Sequence, residues 1–376
     1  MREIVILGST GSIGVQALEI VSSHPESFRV VALAAGSGNL ELLARQADQF
    51  KVPIVATTGD REKLKSLTKA EVIDGPDAAS KVASITSDIV LNAITGSIGL
   101  GPTVAALSSG NTVALANKES LVAGGELVMR YGRDRILPVD SEHSALAQAM
   151  RSGERHEIEK LVLTASGGPF RERKDLGDIT VGEALAHPTW KMGPVVTINS
   201  ATLVNKGLEI IEAHHLFDIA YDKIEAVVHP QSVVHSMVEF RDGSTIAQAS
   251  PPDMKGPIAY AISGEARLSH VMKPLDWQRS HEWTFSPIDH ERFPAVELAK
   301  RCGELGTSVT AMYNAANEEA VGAFVEGRIP FTRIVEIVEA VVMELGGGAL
   351  SPLRDISDVT AIEHDARSYA HQLIRS

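Results

Sequence analysis

Over the first 140 residues, short apolar runs rich in β-branched side chains alternate with longer periodic stretches. Glu3–Leu7, Arg29–Ala34, Pro53–Ala56, Asp88–Ala93, Thr112–Ala116 and Ile136–Val139 have the length and composition of buried strands. Between them, stretches such as Leu40–Phe50 set Leu42, Leu43, Ala47 and Phe50 on one face, the spacing of an amphipathic helix. This alternation predicts a Rossmann-type, doubly wound parallel sheet with helices on both sides.

The pattern then changes. Lys160–Ala165, Ile224–Val228, Val233–Phe240 and Thr245–Ala249 read as strands, and Asp242-Gly243 reads as a hairpin turn, so a second α/β unit contains antiparallel pairs. From Pro274 to Phe293 the text is aromatic, polar and interrupted by proline. Helical periodicity follows over Ala295–Leu305, Ser308–Glu326, Phe331–Leu345 and Ile362–Ile374. The expected organisation is a cofactor-binding domain over 1–140, a catalytic domain with a mixed sheet over 141–263, a connector over 264–290 and a helical C-terminal domain over 291–376. The length of 376 residues agrees with more than one core.

Composition narrows the function classes. Hydrophobic residues at 44% and charged residues at 22% are those of a soluble globular protein. A net charge of −13 argues against a general nucleic-acid binder, and an anionic substrate would need a local cationic pocket. The single cysteine, Cys302, cannot form an intramolecular disulfide, which fits a reducing cytoplasm. No apolar run approaches the roughly 18 residues of a membrane span. The first strand starts within four residues of Met1, so no leader peptide is expected.

The first chemistry-bearing motif is the run Gly8-x-x-Gly11-x-x-Gly14, between a strand and a helix. Such glycines permit a tight turn and close approach of a pyrophosphate to the helix N-terminus; the alternative is a purely structural turn. The end of strand two reads Gly36-Ser37-Gly38-Asn39, without the acid that favours NADH, so NADPH is expected. Asn117-Lys118-Glu119 lies at the carboxyl end of the fifth predicted strand, where open α/β sheets bind ligands; a helix cap is the competing reading.

The second motif is Asp140-Ser141-Glu142-His143. In extended chain, Asp140 and Glu142 share a face and repel unless a cation separates them. An all-oxygen set suits Mg²⁺ or Mn²⁺, whereas a helix cap explains the same residues without metal. In "NSATLVNKGLEIIEAHHLF", Asn199 or Ser200 reads as a helix cap, and Asn205 and Glu209 share a helix face beside Lys206. Glu209 is a candidate third oxygen ligand, with Glu212 as an alternative. Gly207 inside a helix suggests close packing against the backbone. Ser166-Gly167-Gly168 follows a strand and can cradle phosphate. His187, Trp190 and Gly193 lie in a loop over about 186–194 that reads as a lid. His229 and His235 read as structural or interfacial rather than as ligands.

In chain order, "GSTGSIG", "ANKES", "VDSEHSA", "TASGGPF", "HPTWKMG", "NSATLVNKGLE", "HPQSVVHSMVEF" and "PPDMKGPI" resemble the 1-deoxy-D-xylulose 5-phosphate reductoisomerase family over nearly the whole chain. The resemblance implies NADPH- and divalent-metal-dependent rearrangement and reduction of that sugar phosphate to 2-C-methyl-D-erythritol 4-phosphate, in isoprenoid biosynthesis. It implies metal ligands at Asp140, Glu142 and Glu209, with Lys118 as a further catalytic residue. It implies substrate contacts at Lys118, Ser141, Glu142, Ser166, His187, Trp190, Ser200, Asn205, Lys206 and Glu209. NADPH contacts fall on Gly8, Thr10, Gly11, Ser12, Ile13, Gly36, Asn39, Asn117, Glu119 and Gly193. A homodimer is also implied. Many family members carry a basic residue after the strand-two glycine, where this chain has Ser37-Gly38. The competing classes are another metal-dependent NADP-linked enzyme, such as an oxidative decarboxylase, and a non-catalytic NADPH-sensing protein.

Overall fold

The computed structural model describes residues 1–190, 192–347 and 352–376. Lys191, within the predicted lid, lies outside the described residues. The chain forms two compact units. One comprises Met1–Ser120, Val128–Ser144 and Asp253–Lys273; the other comprises Leu121–Leu127, Ala145–Pro252 and Pro274–Ser376.

The first unit alternates strand and helix. It runs β1 (Arg2–Leu7), α1 (Ser12–Ser23), β2 (Phe28–Ala35), α2 (Leu40–Phe50), β3 (Ile54–Thr57), α3 (Arg61–Leu67), β4 (Glu71–Asp74) and α4 (Ala78–Ala83). It continues with β5 (Ile89–Asn92), α5 (Leu100–Ser108), β6 (Thr112–Leu115) and β7 (Ile136–Pro138), while α6 (Glu119–Met129) and α7 (Ser141–Ala149) are divided, Leu121–Leu127 and Ala145–Ala149 belonging to the second unit. The sheet order is β4-β3-β2-β1-β5-β6-β7, with every pairing parallel. The order reverses between β1 and β5, which opens a ligand crevice at their carboxyl ends. Ile4, Ile6, Leu33 and Leu91 are fully or almost fully buried beneath the flanking helices.

The second unit is built on a five-stranded mixed sheet. Its first half holds β8 (Ile158–Ala165), α8 (Val181–Ala184), α9 (Pro194–Ala201), α10 (Val204–Phe217) and β9 (Ile224–Val228). Strands β10 (Val234–Phe240) and β11 (Thr245–Ala249) follow, and the chain then forms α11 (Lys255–Ile262), which belongs to the first unit. There Ile258 and Ile262 of α11 enter the sheet's core, and Lys255 pairs with Glu19 of α1 at 2.7 Å. The chain returns to the second unit with β12 (Ser286–Pro287).

The order of that sheet is β11-β10-β8-β9-β12, with only β8–β9 parallel. The β10–β11 hairpin turns at Asp242-Gly243, as its sequence predicts, with Gly243 at φ +86° and the Asp242 carboxylate accepting from Ser244 N. Helices α12 (Ala295–Leu305), α13 (Thr307–Val325), α14 (Arg333–Leu345) and α15 (Ile356–Arg375) complete the helical C-terminal region. Among the described residues, no helix is long and apolar enough to cross a membrane.

Candidate active site

The glycine turn sits at the carboxyl end of β1, beside the switch point. Gly8 has φ +78°, and a Cβ there would lie 2.5 Å from Ala93 O at the end of β5. A Cβ on Gly14 would lie 2.4 Å from Gly8 O. The chain therefore folds onto itself as only glycine allows, and α1 starts directly behind the turn. Gly11 and Ser12 are exposed at its tip, and the first turn of α1 carries no acid that would oppose an incoming phosphate. Gly36 and Asn39 lie on the exposed edge after β2, where the Asn39 side chain caps α2 through Leu42 N at 3.0 Å. The Asn117 amide braces the loop after β5, donating to Ile94 O at 2.7 Å and Gly96 O at 2.9 Å and reaching Glu119.

Asp140 and Glu142 do not share an extended strand. Helix α7 begins at Ser141, with the Asp140 carbonyl accepting from Ser144 N at 2.9 Å and its carboxylate from Ser141 N at 3.0 Å. Asp140 thus holds the cap position and Glu142 the first turn, because the apolar run that makes β7 ends at Pro138. The expectation of a shared strand face is corrected accordingly. Lys118 Nζ lies 2.7 Å from Asp140 Oδ2, and Ser141 Oγ donates to Glu142 at 2.5 Å. The half-buried Asp140 carboxylate is thus paired with an ammonium, and Asp140 and Glu142 both offer hard oxygen donors.

In the second unit, "NSATLVNKGLE" is two helices rather than one. Asn199 and Ser200 lie in the last turn of α9, and Leu203 at φ +59° separates it from α10. Neither residue caps α10, as the sequence had suggested, because the chain breaks after them. Glu209 is 1% exposed; it pairs with Lys206 and accepts from the Asn205 amide. A carboxylate buried this deeply is tolerated only with cationic or hydrogen-bonding partners. Gly207 packs as expected, since a Cβ there would meet Ala299 at 2.7 Å and Tyr313 Oη at 2.9 Å.

Ser166 and His187 meet within this unit, and the glycine turn beside Ser166 packs against the Ser200 backbone. The turn after β8 places Gly168 at φ +66°, where a Cβ would lie 2.9 Å from Ser200 O. Ser166 Oγ lies 3.0 Å from His187 Nε2. His187 Nδ1 accepts from Thr189 N at 3.1 Å and Trp190 N at 2.8 Å, which fixes the proton of the neutral ring on Nε2. Ser166 Oγ therefore accepts from His187 and from Gly168 N, and its own hydrogen is left to donate to a ligand. Gly193 is the N-cap of α9.

Sequence profiles for 1-deoxy-D-xylulose 5-phosphate reductoisomerase match residues 4–125, for its C-terminal domain residues 136–217, and for a further DXP reductoisomerase C-terminal domain residues 249–369. The enzyme of that name from Arthrobacter sp. (strain FB24) is 55% identical, over 99% of this chain and 98% of its own. That from Leifsonia xyli subsp. xyli is 58% identical, over 91% of each chain. The chain belongs to the 1-deoxy-D-xylulose 5-phosphate reductoisomerase family. Among solved reductoisomerases, the Zymomonas mobilis enzyme in complex with NADPH is 38% identical with a TM-score of 0.92, covering 100% of this chain and 99% of that one. A structure in complex with NADPH, fosmidomycin and magnesium is 35% identical with a TM-score of 0.93, covering 100% and 98%.

Within this reductoisomerase fold, His229 is a brace: its Nε2 accepts from Val233 N and Val234 N, and its Nδ1 meets Thr284 O at 2.9 Å. His235, read as structural or interfacial from the sequence, bonds Ser250 O at 3.2 Å and also lies with its ring 6.2 Å from that of Trp190. Arg171 was not signalled. It sits directly after the glycine turn, reaches Gly168 O at 3.4 Å and bears electrostatically on His187.

Burial first, and the Arg171 charge second, hold the His187 pKa below its ordinary value. Between that depressed value and about 6.5 the unfolded chain binds more protons than the folded one, so stability falls as pH drops through this window. Thermal denaturation from pH 7.5 to 5.5 should therefore decline less steeply in His187→Gln than in the parent. Equal slopes would remove His187 as a contributor.

Proposed function

We propose that this chain converts 1-deoxy-D-xylulose 5-phosphate into 2-C-methyl-D-erythritol 4-phosphate, with NADPH as reductant and Mg²⁺ or Mn²⁺ as metal. The observation that carries this reading is identity of 51–58% to curated reductoisomerases over 91–99% of the chain. The exposed glycine turn before α1 receives the NADPH pyrophosphate, with Thr10, Gly11, Ser12 and Ile13 in contact and Gly36, Asn39, Asn117, Glu119 and Gly193 completing the site. NADPH supplies the hydride for the reductive step.

Asp140, Glu142 and Glu209 are the proposed metal ligands, a donor set of hard oxygens. When bound, the cation polarises the substrate's ketone and neighbouring hydroxyl oxygens and offsets developing negative charge. Lys118, already on Asp140, holds or gives a proton through Nζ. Ser141 and Glu142 face substrate. Ser166, His187, Ser200, Asn205 and Lys206 hold the phosphate, so binding energy is gained away from the reacting carbons. Trp190 covers the substrate and excludes water from the reactive aldehyde. Residues 1–140 act as the cofactor domain, 141–263 as the catalytic domain, 264–290 as the connector and 291–376 as the helical domain. The working assembly is a homodimer.

The deciding assay is NADPH oxidation with 1-deoxy-D-xylulose 5-phosphate. Stripping divalent metal should lower the rate by at least about 10²-fold, and added Mg²⁺ or Mn²⁺ should restore it. Full turnover in metal-free protein would overturn the metal assignment. NADPH binding without oxidation in the loaded protein would favour the sensing alternative.

A further inference from the structure

We infer that Asn317, on α13, is a positioning residue for the phosphate contact made by Ser200, and that it acts through Asn199. The inference rests on the reading above that Ser200 meets the substrate phosphate. Asn317 Nδ2 donates to Asn199 Oδ1 at 3.0 Å across 118 residues of sequence. Asn199 precedes Ser200 in the last turn of α9, at a helix end followed by the αL residue Leu203. That turn is also held from within the chain by Thr202 N and Oγ1, which donate to Ile198 O at 3.0 and 3.1 Å, and by Leu203 N, which donates to Ser200 O at 3.3 Å. Thr202 Oγ1 donates to Asn199 O at 3.2 Å, and the backbone of Gly168 approaches Ser200 O from the other side.

The pair is costly to the fold. Asn199 is 5% exposed and Asn317 1%, and Asn317 Oδ1 is buried without a hydrogen-bond partner among the described residues. Apolar side chains at both positions would avoid that orphaned acceptor without leaving another, so stability alone does not account for the amide pair. Directed anchoring of α9 does.

The anchor itself is immobilised. On the next turn face of α13, Arg367 of α15 pairs with Glu318 at 2.5 Å and Glu319 at 2.8 Å, and His371 meets Glu319 at 2.6 Å. Asn314 donates to Glu318 at 3.1 Å. The C-terminal helices thereby present Asn317 to α9 from a fixed point. A hydroxyl on an anchored helix end binds phosphate at less entropic cost than one on a fraying end.

The test compares Asn317→Leu, Asn317→Ala, Asn199→Ala and Ser200→Ala in the metal-loaded enzyme. The readouts are KM and kcat with the ketose phosphate, inhibition by inorganic phosphate, NADPH affinity and melting temperature. Each variant should raise KM and the phosphate inhibition constant by about tenfold, with kcat within about twofold and NADPH affinity unchanged. Ser200→Ala combined with Asn317→Leu should lose no more than Ser200→Ala alone. If Asn317→Leu restores KM lost in Asn317→Ala, the residue merely fills space and the inference is wrong. The same follows if the Asn317 variants shift only melting temperature. Should one of them fail to fold, Asn199→Ala reads the same link from its other end, and an unchanged KM there is equally fatal. If Ser200→Ala itself leaves KM unchanged while the parent turns over, the phosphate role of Ser200 has failed, and the inference with it. A parent that does not oxidise NADPH with this substrate would locate the failure in the proposed reaction instead.

Discussion

Replacing Glu209 with glutamine should lower kcat by about 10³-fold or more while NADPH affinity stays within about threefold. Glutamine keeps the shape but only one acceptor oxygen, so it can accept from Asn205 or from Lys206 and not from both. The negative charge is lost, and it is needed twice. Lys206 is 3% exposed and loses a charged partner, so a stability cost of about 3 kcal/mol accompanies the change. The proposed metal site loses one of three carboxylates, and affinity for a hard dication follows the charge and number of its oxygen ligands. NADPH binding is spared because the glycine turn belongs to the other compact unit. Circular dichroism at 20 °C and NADPH titration separate a misfolded variant from an inactive one. Retention of more than a tenth of the parent kcat at saturating Mg²⁺ would remove Glu209 from the metal set.

Where the determinants were local, they were legible. Strands β1–β3 and β5–β7 of the first sheet announced themselves as short β-branched runs, and the hairpin at Asp242-Gly243 as a turn dipeptide between alternating segments. Asn205 and Glu209 were placed on one helix face by spacing alone, and the structure joins them. The misses have a common physical origin. Strand β4 has only Val72 and Ile73 between two acids, since an edge strand needs little apolar surface. The break between α9 and α10 rests on Leu203 in the left-handed region, a conformation no leucine advertises. Asp140 and Glu142 were given an extended backbone because the apolar run before them was extended; the helix start at Ser141 is set by the backbone hydrogen bond from Ser144. Asn317 and Asn199 are joined only by tertiary structure, which periodicity cannot reveal. Donor types can thus be read even where local geometry is misjudged, because donor chemistry depends on residue identity and aim depends on the fold.

The second large effect belongs to Gly14→Ala, which should weaken NADPH binding by at least about 10²-fold and destabilise the first unit by about 1–3 kcal/mol. The added Cβ would lie 2.4 Å from Gly8 O, 2.5 Å from Ser9 Cα and 2.8 Å from Ser9 C, all backbone atoms. No rotamer change relieves such contacts, so either α1 shifts away from β1 or the turn opens. Both movements displace the N–H groups at the start of α1 that are proposed to receive the pyrophosphate. Gly11→Ala is the graded comparison: its Cβ would stand 3.3 Å from Gly8 O on an exposed cap, so a smaller loss is expected. Gly101→Ala, in α5 of the same unit, meets only Ser80 Oγ at 3.5 Å and should leave NADPH affinity unchanged. Fluorescence titration of NADPH and thermal melts of the three variants give the ordering. If Gly14→Ala bound NADPH as tightly as Gly101→Ala, the close approach of α1 to β1 would have no part in holding the cofactor, and the glycine turn would be structural only.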